Sequence, residues 1–118
     1  MKRIITLVAA LAVAATTVFA VVAYAGPQRS SVATVKVTIK NFHFTLSKKS
    51  ARHGKVKFVV TNKDSTKHDF KIAGKKTPLL KKGQTRSFTV TLKKKKYTYI
   101  CTVPGHAAGG MKGTFKAT

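Results

Sequence analysis

The strongest constraint on the fold is a period of two that runs from residue 34 to the end of the chain. In VKVTIK, Val35, Val37 and Ile39 alternate with polar residues, and KVKFVVTN, TRSFTVTL, YTYIC and GTFKAT repeat the pattern. Such alternation is typical of strands with one buried and one solvent-facing side. Turn-like segments separate these stretches, and no convincing helical period occurs among them. We therefore predict an all-β fold, a sandwich or small barrel of about seven short strands.

The N-terminal segment has the features of a secretory signal peptide. Lys2 and Arg3 precede an apolar stretch, which ends in the small-x-small sequence Ala-Tyr-Ala. We expect cleavage after Ala25 and export to the periplasm, the cell surface or the medium. A retained membrane anchor is the alternative, because the apolar stretch is close to membrane-spanning length. The predicted division is a signal peptide at 1–25, a linker at 26–33 and one domain at 34–118.

The charge of the chain is strongly one-sided. It has 24 lysines and arginines against 2 acids, Asp64 and Asp69, which gives a net charge of +22. Two carboxylates offer little scope for acid–base hydrolysis. The lysines fall on outward strand positions and turns, which favours a solvated surface that protects sheet edges. Specific nucleic-acid binding is not expected, because no aromatic-rich RNA motif interleaves the basic residues. Such a surface attracts acidic proteins and anionic cell-surface polymers.

A loop near the C-terminus concentrates the sulfur of the chain beside a histidine. In CTVPGHAAGGM, Cys101 is the only cysteine, Met111 is the only internal methionine, and His106 lies midway between them. Singly, each has an ordinary structural explanation as a buried thiol, a core filler or a turn residue. Together in a Pro- and Gly-rich loop they form a soft donor set that suits copper, whose blue sites use two His, one Cys and a weak axial Met. Zinc accepts the same His and Cys ligands but leaves Met111 unused.

A second histidine must come from elsewhere in the chain, and three are available. His68 is favoured because it leads a predicted strand, HDFKI, after a polar loop and shares a face with apolar residues. His53 lies in a turn, where an exposed side chain is expected. His43 alternates with two phenylalanines, which favours an exposed position at a strand end.

These motifs closely resemble those of the cupredoxins, the small blue-copper proteins. The resemblance covers most of residues 34–118 and depends on HDF at 68–70, on YTYICTVPGHAAGGMKGTF at 97–115, and on the Cys-x4-His-x4-Met spacing. It implies an all-β Greek-key sandwich or barrel, which brings the expected count to about seven to eight strands. It also implies one type 1 copper ion near one end of the fold. The ligands that it implies are His68, Cys101, His106 and the axial Met111.

One residue departs from the family pattern. Many cupredoxins have asparagine directly after the upstream histidine, where its amide ties the two ligand loops together, but this chain has Asp69. An ionised carboxylate accepts hydrogen bonds and cannot donate them. The departure bears on the rigidity of the site and on its reduction potential. From the charge of the chain we also expect positive surroundings to favour the Cys101 thiolate.

The resemblance implies an electron carrier and not an enzyme. Cupredoxins pass single electrons between larger redox proteins, and the loop histidine, here His106, is the exit. Four protein ligands leave no open position for a substrate. We expect a monomer whose redox partner has an acidic docking surface. Two alternatives stay open: an extracytoplasmic copper carrier or scavenger without a redox role, and a basic secreted binder of anionic polymers.

Overall fold

The structure is a computed structural model that describes residues 32–118. The predicted signal peptide at 1–25 and nearly all of the predicted linker lie outside these residues. Within residues 32–118, nine strands form two sheets that pack as a β-sandwich, which confirms the all-β prediction. The strands are β1 (Ala33–Lys40), β2 (His43–Leu46), β3 (Ser50–Ala51), β4 (Gly54–Asn62), β5 (Lys71–Ile72), β6 (Lys75–Lys76), β7 (Thr85–Leu92), β8 (Lys96–Ile100) and β9 (Lys112–Ala117). No helix long and apolar enough to cross a membrane occurs between residues 32 and 118.

The chain passes repeatedly from one sheet to the other. The four-stranded sheet has the order β2-β1-β4-β7, and the five-stranded sheet has the order β3-β9-β8-β5-β6. β1 pairs with β4 in parallel, and β3 pairs with β9 in parallel, whereas the other neighbours are antiparallel. Crossing between sheets in this way is the connectivity of Greek-key sandwiches. Three of the nine strands contain only two residues, which is why the count exceeds the predicted seven to eight.

The alternation seen in the sequence decides which side chains fill the space between the sheets. Val35, Val37 and Ile39 of β1 are buried, while the lysines between and beside them are exposed. Phe58 of β4 and Phe115 of β9 are fully buried and meet edge to face across the sandwich, with ring centroids 5.4 Å apart. Every lysine and arginine among residues 32–118 is exposed, as predicted from their outward-facing strand positions and turns.

The segments that form the candidate metal centre lie at one end of the sandwich. The ends of β1 and β4 lie side by side, since Ile39 is in register with Asn62. In the other sheet, Ile100 at the end of β8 is in register with Lys71 of β5. The strand predicted to begin at His68 is shorter than expected, because β5 begins at Lys71 and His68 forms an isolated bridge with Leu80.

Candidate metal centre

The loop between β8 and β9 folds back on itself through its own backbone. The Cys101 N–H donates to the Met111 carbonyl at 3.0 Å, and the Met111 N–H donates to the His106 carbonyl at 3.0 Å. Gly105 and Gly110 have φ values of 81° and 114°, which are readily available only to glycine. The loop therefore brings the three residues singled out in the sequence to one end of β8.

His68 meets this loop from the segment that follows β4. Its Nδ1 lies 3.1 Å from Nδ1 of His106 and 4.0 Å from Sγ of Cys101, and the Cys101 Sγ to His106 Nδ1 distance is 3.5 Å. A metal bonds such donors at about 2.0–2.3 Å, so the three atoms are close enough to share one ion. The donor set of two imidazoles and a thiol is the one that blue-copper sites use.

The four predicted ligands differ in their exposure to solvent. His68, Cys101 and Met111 are 0%, 1% and 0% exposed, whereas His106 is half-buried. Met111 is tied by its backbone to both loop ligands, and its side chain lies in the core. The structure thus brings the donor atoms of His68, Cys101 and His106 together. Met111 is buried and is hydrogen-bonded through its backbone to Cys101 and His106. Ligation by these four residues stays a prediction.

The two histidines that the sequence disfavoured lie apart from the cluster. His43 is the first residue of β2 and is exposed. His53 is exposed as well, and its Nδ1 lies 2.8 Å from the Thr118 carbonyl. Both positions agree with the exposed turn and strand-end positions expected for them.

Cys101 does not have the ionised thiol that the charge of the chain suggested. Burial raises the pKa of the Cys101 thiol above its ordinary value. Backbone N–H groups of Asp69 and Val103 oppose this rise in pKa, but the negative charge of the Asp69 carboxylate adds to it. The expectation of a favoured thiolate is therefore wrong for the metal-free protein, because burial and a nearby carboxylate outweigh the exposed lysines. A metal ion must displace a proton from Cys101.

Asp69 joins the two ligand segments, although it cannot do so in the manner of an asparagine. Its side chain is buried, and its Oδ1 accepts a hydrogen bond of 2.6 Å from the Thr102 N–H. Its Oδ2 accepts a hydrogen bond from the Thr102 hydroxyl. The residue after Cys101 supplies both donors, so an acceptor-only carboxylate suffices at position 69. Thr102 was not predicted from the sequence, although its hydroxyl beside the cysteine was an available signal.

Asp64 and Phe42 also contact the cluster and were missed in the sequence. Asp64 Oδ2 lies 3.0 Å from His68 Nε2, and the Phe42 ring packs edge-on against both histidines of the cluster, with centroid distances of 4.9 Å to His68 and 5.2 Å to His106. Burial on its own raises the pKa of Asp64, but hydrogen bonds from the N–H groups of Phe42 and Asn41 and from His68 outweigh it, so the pKa lies below its ordinary value. The carboxylate is therefore ionised at neutral pH.

Comparison with known proteins places this arrangement in a family. The family model of the Cupredoxin-like domain matches residues 4–113. No curated protein sequence matches the chain. Similar solved structures include an auracyanin from Roseiflexus castenholzii, with 19% identity and a TM-score of 0.62 over 72% of this chain and 96% of that one. Rusticyanin from Thiobacillus ferrooxidans has 21% identity and a TM-score of 0.63 over 72% and 76% of the two chains. Auracyanin A from Chloroflexus aurantiacus, described as a blue copper protein, has 19% identity and a TM-score of 0.58 over 72% and 98%.

Proposed function

The chain belongs to the cupredoxin-like family, and from this premise we propose that it binds one type 1 copper ion and carries single electrons between redox partners outside the cytoplasm. The observation that carries the proposal is the convergence of Cys101 Sγ with Nδ1 of His68 and of His106. Met111 is buried and joined by backbone hydrogen bonds to Cys101 and His106, and its thioether would be the fourth, weaker ligand of the proposed site. Bound copper supplies a one-electron couple between its two common oxidation states.

The protein part of the site suits electron transfer better than turnover of a substrate. His68, Cys101 and Met111 are buried, so they exclude water from the metal position. Ligation by all four residues would leave no open coordination position, unlike catalytic metal sites. Of the four, only His106 is partly exposed, in a loop whose neighbours Pro104 and Gly105 are exposed. Its imidazole is the proposed route by which electrons enter and leave.

The charge of the chain supports a partner with an acidic docking surface. All basic side chains of residues 32–118 are exposed, and the sequence carries a net charge of +22. Such a surface accelerates encounters with anions, and salt weakens the effect. The signal-peptide features at 1–25 support export, so the proposed location is the periplasm, the cell surface or the medium. A small anionic redox complex such as hexacyanoferrate should react more slowly as salt is added, while a cationic ruthenium ammine should react faster.

Copper addition with optical and EPR detection tests the metal site. One equivalent of copper(II) should produce an intense blue thiolate-to-copper band and a narrow copper hyperfine splitting. Cys101→Ala should abolish both, and His53→Ala, a histidine outside the cluster, should leave them unchanged. A pale, ordinary copper spectrum in the wild-type protein refutes the proposal. Slow self-exchange of electrons together with rapid loss of copper to a chelator would instead favour a copper carrier.

A further inference from the structure

The two acidic side chains of the chain both contact the candidate metal centre. Asp69 accepts from Thr102 beside Cys101, and Asp64 contacts His68. Among residues 32–118 neither carboxylate forms an ion pair with a lysine or an arginine, and Asp64 Oδ2 instead lies 3.0 Å from Nε2 of His68. Although the chain has 24 basic residues, Asp64 pairs with His68 and with no lysine or arginine among residues 32–118, so we look for its role at the candidate metal centre.

The two ring nitrogens of His68 face different groups. Nε2 lies 3.0 Å from the Asp64 carboxylate, while Nδ1 faces Cys101 and His106. A neutral imidazole carries one N–H and one bare nitrogen. When Nε2 holds the proton and donates it to the carboxylate, the lone pair of Nδ1 is free for a metal ion.

The same carboxylate holds a strained turn between β1 and β2. Asn41 and Phe42, with φ values of 52° and 58°, form the two-residue connection between Lys40 and His43. The left-handed region is tolerated by asparagine but is unusual for a bulky side chain such as phenylalanine. Asp64 Oδ1 accepts from the Asn41 N–H at 2.7 Å and Oδ2 from the Phe42 N–H at 2.9 Å. These bonds hold the Phe42 ring against both ligand histidines.

Asp64 is itself fixed by a buried side chain. Its N–H donates to Asn62 Oδ1 at 2.9 Å. The Asn62 amide is fully buried and donates to the carbonyls of Thr66, at 2.9 Å, and Leu80, at 2.6 Å. The Leu80 N–H in turn donates to the His68 carbonyl at 2.7 Å. The carboxylate and the imidazole therefore belong to one hydrogen-bonded unit at the end of β4.

We propose that Asp64 is a positioning residue of the copper site. It fixes the tautomer and orientation of His68, holds Phe42 over the two ligand histidines, and favours the oxidised metal through its negative charge. This inference rests on the proposed function. It predicts that the protein holds copper(II) more tightly, relative to copper(I), than it would with a neutral residue at position 64.

The first test compares Asp64→Asn with Ser65→Lys, an exposed neighbour whose substitution makes the same change of one unit in net charge. Asp64→Asn should weaken copper(II) affinity about 10- to 100-fold, as is typical for loss of a residue that orients a metal ligand. A tenfold loss confined to copper(II) raises the reduction potential by about 59 mV. Ser65→Lys should stay close to wild type in both measurements. Equal shifts in the two variants would overturn the proposal, because the effect would then be one of net charge alone.

The second test uses metal-free wild-type protein and needs no variant to fold. Nitrogen-15 NMR of the imidazole rings at mildly alkaline pH should find His68 protonated at Nε2, with Nδ1 bare. A His68 ring protonated at Nδ1 would overturn the positioning role. This result is independent of copper, so it separates the inference from the proposed function. Absence of the blue spectrum after copper(II) is added to wild type would refute the proposed function. The tautomer of His68 measured by NMR decides whether Asp64 positions this imidazole.

Discussion

Replacing Asp69 by alanine should loosen the connection between the two ligand segments. The substitution removes the acceptors of the Thr102 N–H and the Thr102 hydroxyl. Hydrogen bonds to charged groups contribute about 1.5–3 kcal/mol each, and removal of a buried carboxylate returns part of this through its lost desolvation cost. We expect the metal-free protein to lose about 2–4 kcal/mol of unfolding free energy, because the Thr102 N–H is left without its partner.

Asp69→Asn is the matched control for this substitution. Its amide oxygen can accept from the Thr102 N–H, and its NH₂ group can donate to the Thr102 hydroxyl oxygen. The connection is then kept without the charge, and we expect a loss below about 1 kcal/mol. Urea unfolding of both metal-free variants and of wild type gives the three free energies.

Two results would refute this reasoning. The first is an Asp69→Ala protein as stable as Asp69→Asn, since the hydrogen bonds to Thr102 would then contribute nothing. The second is an equal and large loss in both variants, since the charge of Asp69 and not its geometry would then be the stabilising factor. A double-mutant cycle with Thr102→Val isolates the contribution of the hydroxyl, for which we expect a coupling of about 1 kcal/mol.

Two further predictions concern the thiol and the packing of the five-stranded sheet. Because the pKa of Cys101 is raised, the metal-free thiol is protonated at neutral pH, so copper(II) affinity in competition titrations should fall as pH falls, by up to about tenfold per unit. The contribution of the protonated thiol to metal-free stability is fully present below the ordinary thiol pKa and is lost as pH rises through the raised value. A copper affinity independent of pH would contradict this account. Gly113→Ala should destabilise the protein by about 1–3 kcal/mol in urea unfolding, because its methyl group would overlap the ring of Tyr99 on β8. Thr114→Ala, at an exposed neighbouring position, is the control, and equal stability of the two variants would contradict the packing argument.

The long strands could be predicted from sequence, but the short ones could not. β1, β4 and β7 contain eight or nine residues, enough for apolar side chains to repeat at every second position. β3, β5 and β6 contain two residues each, too few to show any period. His68 was expected to lead a strand, yet the structure gives it a single bridge to Leu80. That bridge depends on a contact between residues that lie far apart in sequence.

The candidate metal donors could be recognised in the sequence because their chemistry is rare, whereas the residues around them could not. Cys101 and His106 stand out as a thiol and an imidazole on one short loop. His68 differs from the other histidines because the alternation of its segment places it on the same face as apolar residues. In the sequence, Asp64 is an ordinary residue of a polar loop. Only the fold brings it into contact with His68 and with the turn at Phe42. One signal was available, since Asp64 is one of 2 acids in the chain and lies four residues before His68.

The positive and negative groups of this protein act over different ranges and therefore on different properties. The lysines are exposed, so salt screens them beyond a Debye length of about 8 Å at physiological ionic strength. Asp64 and Asp69 lie largely out of water beside the ligands, where screening by salt is weak. At the proposed site the positive charge of the lysines would favour the reduced metal, and the two carboxylates would favour the oxidised metal. If the proposed acidic partner docks on this surface, a change of surface lysines should alter partner binding more than it alters the reduction potential of the proposed site.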